Sequence, residues 1–364
     1  MQVKIGKSNK ANVSEALSEA LSGVNDPSFL LVQAPYDFLE EVASTLKEKF
    51  PEVPNLGTAG ISYFDSKASD KELVVIAFGS DAKVATGVLT GLSNAPMGDI
   101  YNLEDAIKTV SPGKNDTICI EYCTNHEEVT VTSLNVALEQ KGVELVGGTV
   151  FGTPDGKTSY VMVDSKLYED ACGYVILKNK SGKIRTYSEL IYEQAKELPM
   201  HIATKVNLEN KELIELDGRP AVDVYCEDTG VNRDDVIGNV LKQPLGRVVG
   251  QACYISSMYG IGNGGSLINY KRLNENDTVR VLDLRDYREV NGNTFDNIKS
   301  ENSKISFIFS VNCIYRHMLF TNEGYLNEFI AGMNKVGPHI GYVGGGEQHN
   351  KQHVNQTMVC AVFE

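Results

Sequence analysis

Near its end the chain runs His339-Ile340-Gly341-Tyr342-Val343-Gly344-Gly345-Gly346-Glu347-Gln348-His349, then His353-Val354-Asn355-Gln356-Thr357 and a last apolar run from Met358 to Phe363. A short apolar strand breaks into three glycines, and a carboxylate, two imidazoles, amides and a hydroxyl follow before the next strand begins. Three consecutive glycines admit positive φ and let a ligand or a second backbone approach to a distance that any side chain would block. Polar groups on such a bend are how a binding site is carried on a scaffold. The same residues also fit a plain glycine-rich hairpin turn with solvated polar groups.

Length and charge narrow the field. A chain of 364 residues exceeds the ~250 to 300 at which single cores usually divide, so two domains are expected. Its net charge of −14 and the lack of any basic tract argue against nucleic acid or an anionic membrane as partner. The longest apolar runs, Leu73 to Phe78 and Ile305 to Val311, are of strand length and fall short of the ~20 residues of a membrane span. No apolar segment follows the first lysines, so a cytoplasmic location is expected. The cysteines are scattered, and Cys119-x-x-x-Cys123 lacks the second pair of a zinc site, so reduced and mostly buried thiols are expected.

Read in order, the first half alternates helix and strand signals. Ser14 to Leu21 and Tyr36 to Phe50 carry apolar residues at helical spacing, and Phe29 to Gln33 reads as a buried strand. Asn55 to Phe64, Glu72 to Gly79 and Lys83 to Leu92 follow as strands without a helix between them, which implies antiparallel or mixed pairing. Leu103 to Val110 and Val129 to Lys141 read as helices, the second closed by Gly142. The bends Gly57 to Gly60 and Gly147 to Gly152 both fall at strand ends. The polar stretch Lys178 to Lys183 is the boundary candidate, dividing the chain into 1–180 and 181–364, each a mixed sheet packed with helices in an α+β arrangement. Beyond it Pro220 opens a helix, Arg247 to Ser257 and Ser266 to Lys271 form a β-ribbon, and a helix from Asn322 to Lys335 leads to the last glycine bend. The match to G-x-G-x-x-G at Gly260, Gly262 and Gly265 precedes a strand-like segment where the dinucleotide fingerprint needs a helix, so nucleotide binding is not expected there.

Candidate chemistry gathers late in the chain. The planar fork of Arg316 suits a ligand carboxylate and Glu347 suits an ammonium group, so the two together would recognise a zwitterion; the structural alternative pairs Arg316 with an acid of the protein. Cys313 could be a nucleophile with His317, His339, His349 or His353 as its base, or an inert buried thiol. His349 and His353, four residues apart with Glu347 near, would share a helix face fit for zinc, but the stretch reads as loop. Thr58, Gly60, Gly148 and Gly152 are the first-half positions expected to face a ligand, in a cleft shared with Arg316 and Glu347.

These residues add up to a resemblance over nearly the whole chain. Asn55-Leu56-Gly57-Thr58-Ala59-Gly60 resembles the S/T-T-A-G strand end of the FIST N domain, and Gly147-Gly148 with Phe151-Gly152 resembles its later double-glycine bend. Leu216-Asp217-Gly218-Arg219-Pro220-Ala221 to Tyr225 is similar to the L-x-G-x-P-A-x-x-x-Y opening of the FIST C domain. Asn312-Cys313-Ile314-Tyr315-Arg316 resembles its S-C-x-x-R element, and Gly341-Tyr342 through Gly346-Glu347 to Asn355-Gln356-Thr357 its closing G-F/Y-x-x-x-G-E and N-x-T. Two departures stand out: Gln348-His349 replaces I-G-P, and no acidic residue follows T-A-G. The resemblance implies a cytoplasmic sensory protein that binds a small ligand such as an amino acid and signals through a downstream partner protein. The expected ligand-facing set is Thr58, Gly60, Gly148, Gly152, Cys313, Arg316, Gly346, Glu347, His349, His353, Asn355 and Thr357, with no metal and no cofactor. A binder is favoured over an enzyme; a thiol- or metal-dependent enzyme and a protein-interaction scaffold are the alternatives.

Overall fold

The computed structural model describes residues 1–364. The chain makes three passes through one motif. In the first pass β1 (Val3–Ser8) leads to helix α1 (Val13–Ala20), β2 (Phe29–Ala34), α2 (Leu39–Lys49) and β3 (Asn55–Ala59); a hairpin of β4 (Ser62–Phe64) and β5 (Lys67–Ser69) and a return strand β6 (Leu73–Phe78) complete it. The second pass is β7 (Ala82–Thr90), α3 (Ile100–Val110), β8 (Thr117–Cys123), α4 (Glu127–Leu138), β9 (Glu144–Thr149), hairpin β10 (Val161–Val163) and β11 (Lys166–Tyr168), and return strand β12 (Ala171–Asn179). The third begins with β13 (Ile184–Leu190). After an inserted lobe it resumes at α5 (Tyr287–Glu301), β14 (Phe307–Cys313), α6 (Ile314–Asn322), α7 (Leu326–Val336), β15 (His339–Gly344), hairpin β16 (Glu347–His349) and β17 (Gln352–Val354), and return strand β18 (Thr357–Phe363).

Each pass builds one six-stranded sheet but lends its hairpin to another. The sheets run β1-β6-β2-β3-β10-β11, β7-β12-β8-β9-β16-β17 and β13-β18-β14-β15-β4-β5. In all three the middle pair is parallel and every other pairing is antiparallel. The first hairpin thus lies on the third sheet, the second on the first and the third on the second, which closes a ring of exchanged elements. Register makes Gly57, Gly147 and Gly341 equivalent: each sits opposite the second residue of a borrowed hairpin, Met162, Gln348 and Tyr63. A Cβ at Gly57 would come within 2.8 Å of Val32 and Met162, and one at Gly341 within 2.9 Å of Ser310 and Tyr63. Close approach of the borrowed hairpin accounts for glycine at these positions.

The parallel strands read FLLVQA, TICIEYC and FIFSVNC and are buried along their whole length, as strands covered on both faces must be. Their inward side chains, among them Phe29, Leu31, Ile120, Tyr122, Phe309 and Val311, join Tyr342 of β15 in one central core of 27 residues fed by all three sheets. The helices cover the outer faces. Asn12 caps α1 by accepting from the Glu15 N–H, and Val13, Ala16, Leu17 and Ala20 turn its apolar stripe onto the first sheet. Asp286 caps α5 in the same way, accepting from Arg288 and Glu289.

The inserted lobe is a nine-stranded antiparallel sheet with the helix Ala221–Thr229 against it, packed on its own core of Leu213, Val222, Tyr225, Leu245, Met258 and Val281 among others. The architecture is α+β, with mixed sheets and helices in both halves, as the alternation of signals implied. Two elements differ from the sequence reading: α5 was not anticipated, and the helix expected from Asn322 begins only at Leu326 as α7, with a separate helix, α6, ending at Asn322 before the break at Glu323-Gly324-Tyr325.

Candidate functional site

Two of the expected glycine bends meet at one opening. Gly60 (φ 156°) ends β3 and Gly152 (φ 90°) follows β9, and both conformations exclude a side chain. A Cβ at Gly152 would lie 3.7 Å from the Gly60 Cα. Together they border a cavity of about 650 Å³ whose other walls are Asn9, Lys10, Tyr36, Asp37, Phe38, Ile61, Asp70, Lys71 and Phe151. The volume suits a small metabolite, and the place, beyond the carboxyl ends of β2 and β3, is where α/β folds put ligands. Asp37, Asp70 and Lys71 make no ion pair, and Lys10 has only a 3.5 Å contact with exposed Glu15.

Behind this opening stands Tyr342, a residue of the other half. Its hydroxyl accepts from the Phe151 N–H at 3.1 Å and donates to the Ala59 carbonyl at 3.3 Å, fastening both bends. A Cβ at Gly60 would come within 2.6 Å of its ring, and one at Gly148 within 3.6 Å. The ring packs edge-on against Tyr122 at 4.9 Å. Thr58 is buried beneath and donates to the Tyr160 carbonyl at 3.0 Å.

The remaining expected residues form a buried polar seam. Gly148, expected in a bend, lies within β9 and pairs with Glu347 across the β9–β16 ladder, so the second-pass glycine and the third-pass carboxylate are direct neighbours. Glu347 is fully buried, and burial pushes its carboxyl up to about 8, against the pull of the Thr357 and Cys313 bonds and of the Arg316 charge. Its Oε2 accepts from the Thr357 N–H at 3.2 Å and hydroxyl at 2.5 Å. Cys313, the residue before α6, lies against this carboxyl; burial first, then the carboxyl, hold its thiol well above the usual range. The carboxyl that weighs on the Cys313 thiol is that of Glu347, whereas the four imidazoles considered as its base bond elsewhere: His317 to Tyr63, His339 to Ser310, His349 to Thr186 and His353 to Gln348.

Arg316 is not turned toward a ligand. It is 1% exposed, donates to Glu189, and lies 4.6 Å and 5.0 Å from the ring centroids of Phe320 and Phe329. Asn291 also donates to Glu189, at 2.7 Å. The structural alternative for Arg316, an ion pair within the protein, is the arrangement found.

His349 and His353 do not share a helix face, because residues 347–354 are a hairpin. The ladder pairs Gln348 with His353 and His349 with Gln352, which places the two imidazoles on opposite faces. His353 is buried, and desolvation holds its imidazole down at about 3; His349 is held at about 4 by the same cause. No group of three or more His, Cys, Asp or Glu side chains is arranged to hold a metal. Gly346 packs against His353 and Asn355, which leaves no room for a Cβ. Buried oxygens of Glu347, Gln348, Asn355 and Gln356 have no partner within the protein, a concentration that marks the seam as unusual for a folded core.

The sequence reading passed over Tyr342 as a contact, and also Lys271 and Lys211. Lys271 is buried and donates to the His353 carbonyl at 2.5 Å; burial lowers its ammonium to about 8. Lys211 joins the lobe to α4 through Glu127 at 3.0 Å. The isolated lysines carried no motif, and only the tyrosine lay within a resembled element.

The FIST N domain model matches residues 28–219 and the FIST C domain model residues 221–350. No curated protein matches the chain. Among solved structures, that of a cyanuric acid hydrolase from A. caulinodans is similar at TM-score 0.36 and 8% identity over 99% of this chain and 98% of that one, too distant to bear on function. With tandem FIST N and FIST C domains spanning 28–350, the chain belongs to the FIST family, whose domains are associated in general with sensory signal transduction.

Proposed function

We propose that the protein is a cytoplasmic sensor that binds a small zwitterionic metabolite of the amino-acid type and passes the signal to a partner protein. The observation that carries this reading is the 650 Å³ cavity at the Gly60 and Gly152 bends, where lysines and aspartates largely free of ion pairs stand beside Tyr36, Phe38 and Phe151. Lys10 and Lys71 receive the carboxylate, Asp37 and Asp70 the ammonium group, and the aromatic and apolar walls the side chain. Tyr342 supports the coupling, because it ties both rims of the cavity to β15 and abuts the Gly148–Glu347 pair. In this reading the cleft draws on both halves through Tyr342, and Glu347, Cys313, Thr357, His353 and Asn355 form the transmitting layer behind it.

The test is calorimetric titration of the purified protein with the proteinogenic amino acids and common keto and amino metabolites. The expected result is selective binding of one class, weakened at least tenfold by Lys71→Ala and by Asp37→Asn, both at the cavity wall. Absence of binding across the panel, or binding indifferent to both substitutions, overturns it.

A further inference from the structure

The inserted lobe has a cavity of its own, of about 630 Å³, lined by Glu209, Asn210, Glu212, Tyr259, Asn263, Asn269 and Tyr270 among others. Its chemistry is one-sided. The rings of Tyr259 and Tyr270 lie 4.5 Å apart at 36°, and Tyr259 is 46% exposed at the rim. Glu209 and Glu212 supply carboxylates; Glu212 accepts from the Ser266 hydroxyl through one oxygen, and Glu209 makes no ion pair. The one cation of the wall, Lys211, is already neutralised: its ammonium reaches Glu127 at 3.0 Å, Glu128 at 3.4 Å and the Tyr270 carbonyl at 2.8 Å.

Asn269 adds an independent sign. It is 1% exposed, and its amide nitrogen donates to the Leu267 and Lys211 carbonyls at 2.9 and 3.3 Å. Its Oδ1, by contrast, is buried without a partner in the protein. A buried amide oxygen left in this state calls for a donor. Two carboxylates and an unpartnered amide oxygen, with no free cation beside them and two tilted phenol rings at the rim, define the ligand from the protein's side: a cation that brings its own N–H groups and an alkyl chain to lie on the rings.

We infer that this cavity is a second binding site, for a primary alkylammonium group, with Asn269, Glu212 and Glu209 accepting its N–H bonds and Tyr259 and Tyr270 covering its chain. The site is separate from the Gly60–Gly152 cavity and does not depend on the sensor reading. Its back wall continues through Tyr270, whose ring meets Tyr315 at 5.6 Å, to the first turn of α6 beside Cys313.

Two sources offer this chemistry, a free polyamine and a lysine side chain of a protein. Calorimetric titration of the full chain with cadaverine and with Nα-acetyl-lysine methylamide, in 150 mM NaCl, separates them: tighter binding of the diamine identifies a polyamine, tighter binding of the capped lysine a protein side chain. In either case Tyr259→Ala, at an exposed position where folding is not at risk, should weaken binding about tenfold, Tyr259→Phe should retain it, and Glu212→Gln should weaken it about threefold. 1-Pentanol, which has the chain without the charge, should not bind. Equal affinity in wild type and Tyr259→Ala, or pentanol binding as tightly as cadaverine, overturns the assignment.

Discussion

Glu347→Gln should change the pH dependence of stability more than stability itself. The folded carboxyl is raised from 4.5 to about 8, with burial as the main cause. A group raised in the fold holds its proton better in the native state, so its contribution is complete below about pH 4.5 and is lost as pH climbs to about 8. At about 1.4 kcal/mol per pH unit, the interval corresponds to a ceiling of about 5 kcal/mol. Glutamine resembles the protonated acid in shape and cannot titrate. Urea unfolding followed by circular dichroism should therefore find the variant within about 1 kcal/mol of wild type at pH 5.5, and more stable than wild type by about 3 kcal/mol at pH 8.5. Glu121, likewise raised to about 8 by burial, should behave the same way. On the acid side the sign reverses: desolvation holds His339, His349 and His353 at about 3, 4 and 3, so the unfolded chain takes up protons first as pH falls below 6.5. Wild-type stability should consequently peak near pH 6.5. A Glu347→Gln difference that stays constant from pH 5.5 to 8.5 would refute the reasoning.

Three further outcomes can be checked. Arg316→Met leaves Glu189 buried without its cation and should destabilise by about 3 to 5 kcal/mol in urea unfolding, with Arg316→Met/Glu189→Met recovering at least half. Gly57→Ala and Gly341→Ala should each lower stability by about 1 to 3 kcal/mol by thermal melting, whereas Gly238→Ala, which meets nothing within 4 Å, should be neutral or slightly stabilising. With Ellman's reagent on the native protein, the half-buried Cys226 and Cys253 should react first, and Cys313 and the four other buried thiols only on unfolding.

Where side-chain pattern and local structure agree, the sequence was a sufficient guide. Phe29 to Gln33 is apolar because β2 is covered on both faces, and Tyr36 to Phe50 carries helical spacing because α2 lies on a sheet. Gly142 closes its helix in the left-handed conformation, with φ of 61°. Helix α5 escaped notice because only Val290, Asn291 and Ile298 of its 15 residues are buried, too few for a stripe, although Asp286 was a legible cap. The hairpin 347–354 read as a loop because its strands are three residues each and it has no partner near in sequence; β9, two hundred residues earlier, makes it a strand. The bends at Gly60 and Gly152 were legible as glycine turns at strand ends, and both residues do take positive φ, 156° and 90°. That Arg316 faces Glu189 was beyond reach, because pairing of distant charges leaves no local trace. The double glycine Gly147-Gly148 read as part of a bend but lies inside strand β9, where close packing on Glu121 and on Val311 accounts for it, and that packing depends on the ring of sheets.

The exchange of hairpins also governs how the chain can reach this structure. Tyr63 pairs with Gly341 and Gly148 with Glu347, contacts across some 200 to 280 residues. Closing such long loops comes before any reward from the pairing, so assembly is slow and the ring closes late. A cut between any two passes strips the borrowed hairpin from two sheets at once and exposes their bare edges. During synthesis the first hairpin, β4–β5, therefore waits for a strand that is made some 270 residues later. At high concentration it can instead find β15 of another copy, and linked chains are the aggregate this topology favours.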